Sequence, residues 1–217
     1  MKHKKRDKKK TDFEFYAQVA IVIVLAGILI FNYLPSDSSS GIGIVSASQI
    51  TPTGVPAIYG EELGITYDDV SPYDQQKADA TIRLLGNIDK VESIEGADLE
   101  RYIDILYNMH YGISCEYCCG ARSIIFENGQ PACGCAHSYA MRGLTKYLIK
   151  YHGDELTDEQ IFTEVGKWKV LFFPGILEGK AQIMASQGID TDYINLTSNL
   201  YRGIEQGQTS GGMVGGC

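Results

Sequence analysis

Apolar positions along this chain form one unbroken run and then a series of stripes at helical spacing. The run is Tyr16 to Leu34, which holds no charged side chain. At about 1.5 Å per residue it reaches roughly 28 Å, the depth of a bilayer's hydrocarbon core. The stripes follow further on. Ser71-Pro72 supplies an N-cap and a proline for the first helical position, predicting a helix that ends at Gly86. Asp98 caps a second, with Leu99, Tyr102, Ile103, Leu106 and His110 on one face. Ser138 caps a third, carrying Met141, Leu144, Leu148 and Tyr151 and stopping at Gly153. Thr157 and Gln160 form a capping box for a fourth, with Ile161, Val165, Trp168 and Phe172 on its stripe. Pro174-Gly175 breaks that helix, and residues 176–187 predict a short fifth. Between the second and third, Ser123 to Phe126 and Gln130 to Cys133 flank Asn128-Gly129, a hairpin-turn signal. Residues 189–202 favour no single element.

The predicted class is therefore mainly α: an N-terminal transmembrane helix and a helical extracytoplasmic domain with a small inserted β-hairpin that bears cysteines. The expected organisation is a basic cytoplasmic tail over 1–12, the anchor over 13–34 and a linker with irregular chain over 35–70. The helical domain follows over 71–202, and a glycine-rich flexible tail over 203–217. Proline and glycine at 52, 54, 56, 60 and 64 suggest chain draped over the domain.

Charge fixes the orientation. Seven of the first ten residues are Lys or Arg, against Asp7 alone, so this end is expected to stay cytoplasmic. Beyond Leu34 there are 12 Lys/Arg and 24 Asp/Glu, an acidic body that gives no purchase on nucleic acid. A cleaved signal peptide is the rival for the apolar run, but its core would be long and its cleavage site distant. The expected location is the cell membrane, crossed once, with the C-terminal domain outside. Asn195-Leu-Thr197 then matches a glycosylation acceptor on the outer side.

Candidate chemistry lies in five cysteines within 21 positions: Cys115, Cys118, Cys119, Cys133 and Cys135, with His137 close behind. Cys115-x-x-Cys118 has the spacing of a chelating knuckle. If residues 133–137 stay extended, Cys133, Cys135 and His137 share one face. If the hairpin folds back, Cys115, Cys118, Cys133 and Cys135 form a four-thiolate site, with His137, Cys119 and His110 in reserve. Such a set suits Zn2+ in a closed structural role, or Cu+ for transfer. Covalent haem would need Cys-x-x-Cys-His, which is missing here. Two alternatives stand beside the metal. One is thiol–disulfide exchange through Cys133 and Cys135, with Cys217 as a further candidate, because Cys135 precedes a helix start. The other is a disulfide-stapled interaction domain. Cys217 ends a tail that spans roughly 20 Å on average, so it can visit the cluster or meet a thiol-bearing protein partner. No Ser-His-Asp set or phosphate loop appears, and no catalytic residue is assigned.

Two resemblances attach to these residues. Cys133-Gly134-Cys135, with Pro131 before it and His137 after, resembles the lipoprotein family named for its Pro-Cys-Tyr-Cys-Gly-Cys motif. The match departs at Pro131 and Ala132. Ser138 through Gly153 to Thr157-Asp-Glu-Gln-Ile161 is similar to the membrane-anchored thiol factors of cytochrome c maturation, which carry Cys-x-x-Cys where this chain has Cys133-x-Cys135. Both imply an anchored extracytoplasmic cysteine site.

Overall fold

A computed structural model describes residues 45–116 and 121–205. The expected cytoplasmic tail, the anchor and residues 35–44 of the linker lie outside the described residues. So do Cys118, Cys119, Cys217 and most of the glycine-rich tail. No helix among the described residues is long and apolar enough to cross a membrane.

The described chain is mainly helical. Its principal helices are α1 (Gln75–Val91), α2 (Gly96–Ile103), α3 (Ala136–His152), α4 (Asp158–Phe172), α5 (Pro174–Ser186) and the short α6 (Tyr193–Thr197). Helix α3 lies against α1, α2 and α4. Met141, Leu144 and Leu148 of α3 are buried, and so are Leu85 of α1 and Ile161, Val165, Trp168 and Phe172 of α4. The capping box at Thr157 forms as the sequence predicts: its hydroxyl accepts from the Gln160 amide at 3.2 Å, and its own amide donates to Gln160 Oε1 at 2.8 Å. Tyr151 leaves the predicted stripe and is exposed.

Helix α1 differs at both ends from its sequence reading. It is capped by Asp74, whose carboxylate accepts from the Lys77 amide at 3.1 Å. It also runs through Gly86 instead of ending there. The reason is packing. A Cβ on Gly86 would sit 3.3 Å from Cβ of Tyr139, and one on Gly143 would sit 2.0 Å from the Leu85 carbonyl. These glycines let α1 and α3 approach backbone to backbone, a use of glycine that looks like a helix stop in sequence.

The predicted hairpin does not form as two strands. Its arms meet at one antiparallel bridge, Ile125 to Pro131, with Phe126 donating to Gln130 O at 2.7 Å and Ala132 to Ile124 O at 3.0 Å. Pro131 has no N–H to extend the ladder, and the Ile124 amide is drawn away to Ile113 O at 2.9 Å. The turn itself is as expected, with Gly129 at φ +79°.

The second predicted helix also stops early. After α2 the chain passes through a π-turn (Asp104–Asn108) and a 3-10 turn (Met109–Tyr111). His110 and Tyr111 adopt φ of +48° and +66°, so His110 leaves the apolar stripe and sets its ring edge-on to Phe162.

The irregular segment before α1 is fastened by buried tyrosines. Tyr59 and Tyr67 both donate to Oε2 of Glu164 on α4, at 2.9 and 2.6 Å, and Trp168 Nε1 donates to the Tyr59 hydroxyl at 2.8 Å. Burial, with the Glu164 charge behind it, pushes both phenols far above their ordinary pKa and keeps them donors.

Gly143→Ala is expected to force α1 and α3 apart and cost about 1–3 kcal/mol, the usual range for overpacking. Gly134→Ala, where an added Cβ meets nothing within 4 Å, should be silent to within about 0.5 kcal/mol. Chemical denaturation of the two variants checks the contrast; equal stabilities would contradict the close approach.

Candidate functional site

The site begins with Cys135. The chain does not stay extended to His137: α3 starts at Ala136, and Cys135 rather than Ser138 is its N-cap. The cysteine sulfur does the work of a capping oxygen, accepting from the Ser138 amide at 3.4 Å, with the Ser138 hydroxyl 3.5 Å away. Cysteine is an unusual cap, so serine drew the prediction three residues too late.

Cys115 Sγ lies 3.5 Å from Cys135 Sγ, far beyond the roughly 2.05 Å of a disulfide. Cys115 is almost fully buried, while Cys135 is partly exposed. The Cys115 contact, followed by hydrogen bonds from His137 and Ser138, holds the Cys135 thiol well below its ordinary pKa against the upward push of partial burial. The contact therefore favours the thiolate form of Cys135, with the Cys115 sulfur beside it.

Of the other predicted residues, Cys133 is buried two positions earlier, its carbonyl accepting from Arg142 Nη1 at 2.9 Å. His137 is wholly buried, its ring 5.1 Å from those of both Phe172 and Phe173. It reaches Cys135 from inside the helix, not from the shared strand face that period-two alternation suggested. His110 stands apart against Phe162. Among the described residues, no three Cys, His, Asp or Glu side chains converge to hold a metal ion.

Both flanks of residues 117–120 are pinned. Ahead of them, Ile113 bridges Ser198, and Ser114 Oγ donates to Asn199 Oδ1 at 2.6 Å. The Asn199 amide nitrogen donates to Tyr111 O at 3.1 Å and to Arg122 O at 2.5 Å, joining the two sides. Glu116 pairs with Lys169 of α4 at 2.5 Å, both nearly inaccessible. Burial raises the Glu116 carboxyl, but Lys169, Lys180 and Arg202 outweigh it and leave it lowered. After the gap, Arg202 Nη1 donates to Ala121 O at 2.7 Å.

Two of those cations were missed in the sequence. Lys169 follows Trp168 within the α4 stripe, and Lys180 shares a face with Leu177, Ala181 and Met184 on α5; both are buried. A lysine inside an apolar stripe was the available signal. Lys169 donates to Thr197 O at 2.9 Å, and Lys180 to Leu196 O at 2.7 Å and Ser198 O at 3.2 Å, so the end of α6 is held by two buried lysine side chains. The acceptor tripeptide Asn195-Leu-Thr197 belongs to this helix, with Thr197 buried.

No family model matches this sequence, and no curated protein or solved structure is similar to it.

Burial, and then the neighbouring Lys169 charge, lowers Lys180 to about 7. Between about pH 7 and 10 the unfolded chain therefore carries a proton on Lys180 that the folded chain lacks, and stability rises with pH. Below that window both states are charged, and the full cost of burial remains. Lys180→Met should flatten the rise, which is on the order of a few kcal/mol. Denaturation at pH 7, 8 and 9.5 measures it; parallel pH profiles for variant and parent would contradict the assignment.

Proposed function

We propose that this chain is a membrane-anchored, extracytoplasmic protein that binds a soft metal ion through cysteine thiolates, with Cys115 and Cys135 as two of the ligands. The observation that carries this reading is their 3.5 Å separation, with the Cys135 thiol held below its ordinary pKa first by the Cys115 contact. Two thiolates on one tetrahedral ion, each about 2.3 Å from it, lie roughly 3.8 Å apart. The pair is therefore within a few tenths of an ångström of ligand spacing, and deprotonation, which metal binding requires, is already favoured.

Cys118 and Cys119 supply the remaining donors. They follow Cys115 by three and four positions, and a chain of that length extends at most about 10–14 Å. Zn2+ would take four donors from this set; Cu+ would be satisfied by fewer thiolates. His137, hydrogen-bonded to Cys135, would serve as the outer partner that fixes a ligand's orientation. The anchor rests on the apolar run over 16–34 and the lysine-rich end before it.

The test is competition of the reduced full chain, in detergent, against a chromophoric zinc chelator. One ion per chain is expected. Cys115→Ser and Cys135→Ser should each weaken binding by more than about a hundredfold, beyond the 10–100-fold typical of an outer partner. His137→Phe keeps the aromatic packing but removes the donor, and should weaken binding by about tenfold. Absence of stoichiometric binding, or indifference to both cysteine substitutions, overturns the reading.

A further inference from the structure

The two sulfurs that approach one another differ sharply in access. Cys115 is 2% exposed, whereas Cys135 opens to solvent. Cys115 is also fixed from both sides, by the Ser114–Asn199 hydrogen bond and by the Glu116–Lys169 pair. Cys135 is fixed as the cap of α3, with the Ser138 amide pointing at its sulfur.

We propose that Cys135 and Cys115 form a thiol–disulfide exchange couple, in which Cys135 attacks and Cys115 resolves, and that its oxidant is a small external disulfide. The pairing differs from the Cys133–Cys135 pair that the sequence suggests, and it joins residues twenty positions apart. Cys135 attacks one sulfur of R–S–S–R as its proton passes to the sulfur that leaves. That bond breaks, one RSH departs, and a mixed disulfide remains on Cys135. Cys115 then attacks Cys135 Sγ, its proton passing to the second departing sulfur, and expels the second RSH. The sum is Cys115–SH, Cys135–SH and RSSR going to a Cys115–Cys135 disulfide and two RSH; two electrons pass from the couple to the oxidant. Closing the sulfurs from 3.5 Å to about 2.05 Å asks for a shift of only about 1.5 Å. An external disulfide reaches the part-exposed Cys135 but not the buried Cys115, which sets the order of attack.

This chemistry uses the same sulfurs as the metal reading but does not depend on it. The test treats the reduced, EDTA-stripped full chain with glutathione disulfide and maps the cysteines by peptide mass spectrometry. The parent chain should yield a Cys115–Cys135 disulfide. Cys115→Ser should arrest with glutathione on Cys135, and Cys135→Ser should leave Cys115 unmodified. A first disulfide formed elsewhere in the parent, or labelling of Cys115 at an undiminished rate in Cys135→Ser, overturns the couple. A chain that binds no zinc but forms the Cys115–Cys135 disulfide defeats the metal reading alone, and a zinc-binding chain that forms none after stripping defeats the couple alone.

Discussion

The described fold turns on one buried ion pair. Arg142, wholly inaccessible in the middle of α3, donates from Nε to Asp89 Oδ2 of α1 at 2.8 Å. Its Nη1 reaches the Ile124 and Cys133 carbonyls at 3.2 and 2.9 Å, and its plane stacks over Tyr139 at 4.4 Å. Lys146 joins from the next turn, 2.8 Å from Asp89 Oδ1. One guanidinium therefore ties together α1, α3 and the chain that carries Cys133 to Cys135. Removing one member of such a pair costs about 3–5 kcal/mol, since the other is left charged and buried, although the intact pair adds little net stability. Its value here is geometric. It sets the height at which the cysteine-bearing chain enters α3.

From that fixed entry the local chemistry follows. A cysteine at an N-cap meets the amide that would otherwise be satisfied by serine or aspartate, and the start of the helix favours negative charge on its sulfur. Cys115 arrives from another direction, held between the Asn199 latch and the Glu116–Lys169 pair. The close contact of the two sulfurs is imposed by two independent frameworks: the Arg142 pair on one side, the buried lysines and Asn199 on the other. Neither cysteine has to find its partner through a flexible loop.

Much of the helical frame was legible in the sequence, because stripes such as Ile161, Val165, Trp168 and Phe172 report burial directly and Thr157-x-x-Gln160 reports a helix start. The errors share a cause. Gly86 was read as a stop because a local signal cannot distinguish a helix end from a close helix crossing. Pro131 looked compatible with a hairpin arm, but its missing N–H and the pull of Ile113 on Ile124 limited the ladder to one bridge. The contact of Cys115 with Cys135 falls within the expected cluster and the chain does turn back at Asn128-Gly129, but the extended strand to His137 does not form, because α3 begins at Ala136. Lys169 and Lys180 were hidden by charge, as sequence patterning assigns lysine to the surface unless a partner is known, and their partners are carbonyls and a glutamate far along the chain.

The proposal that Cys115 and Cys135 share one ion is tested most directly by X-ray absorption at the zinc edge of the reduced, zinc-loaded full chain. A sulfur shell at about 2.3 Å, diminished when either cysteine is replaced by serine, is the expected spectrum. A first shell made only of oxygen or nitrogen near 2.0–2.2 Å, unchanged by either replacement, would contradict it.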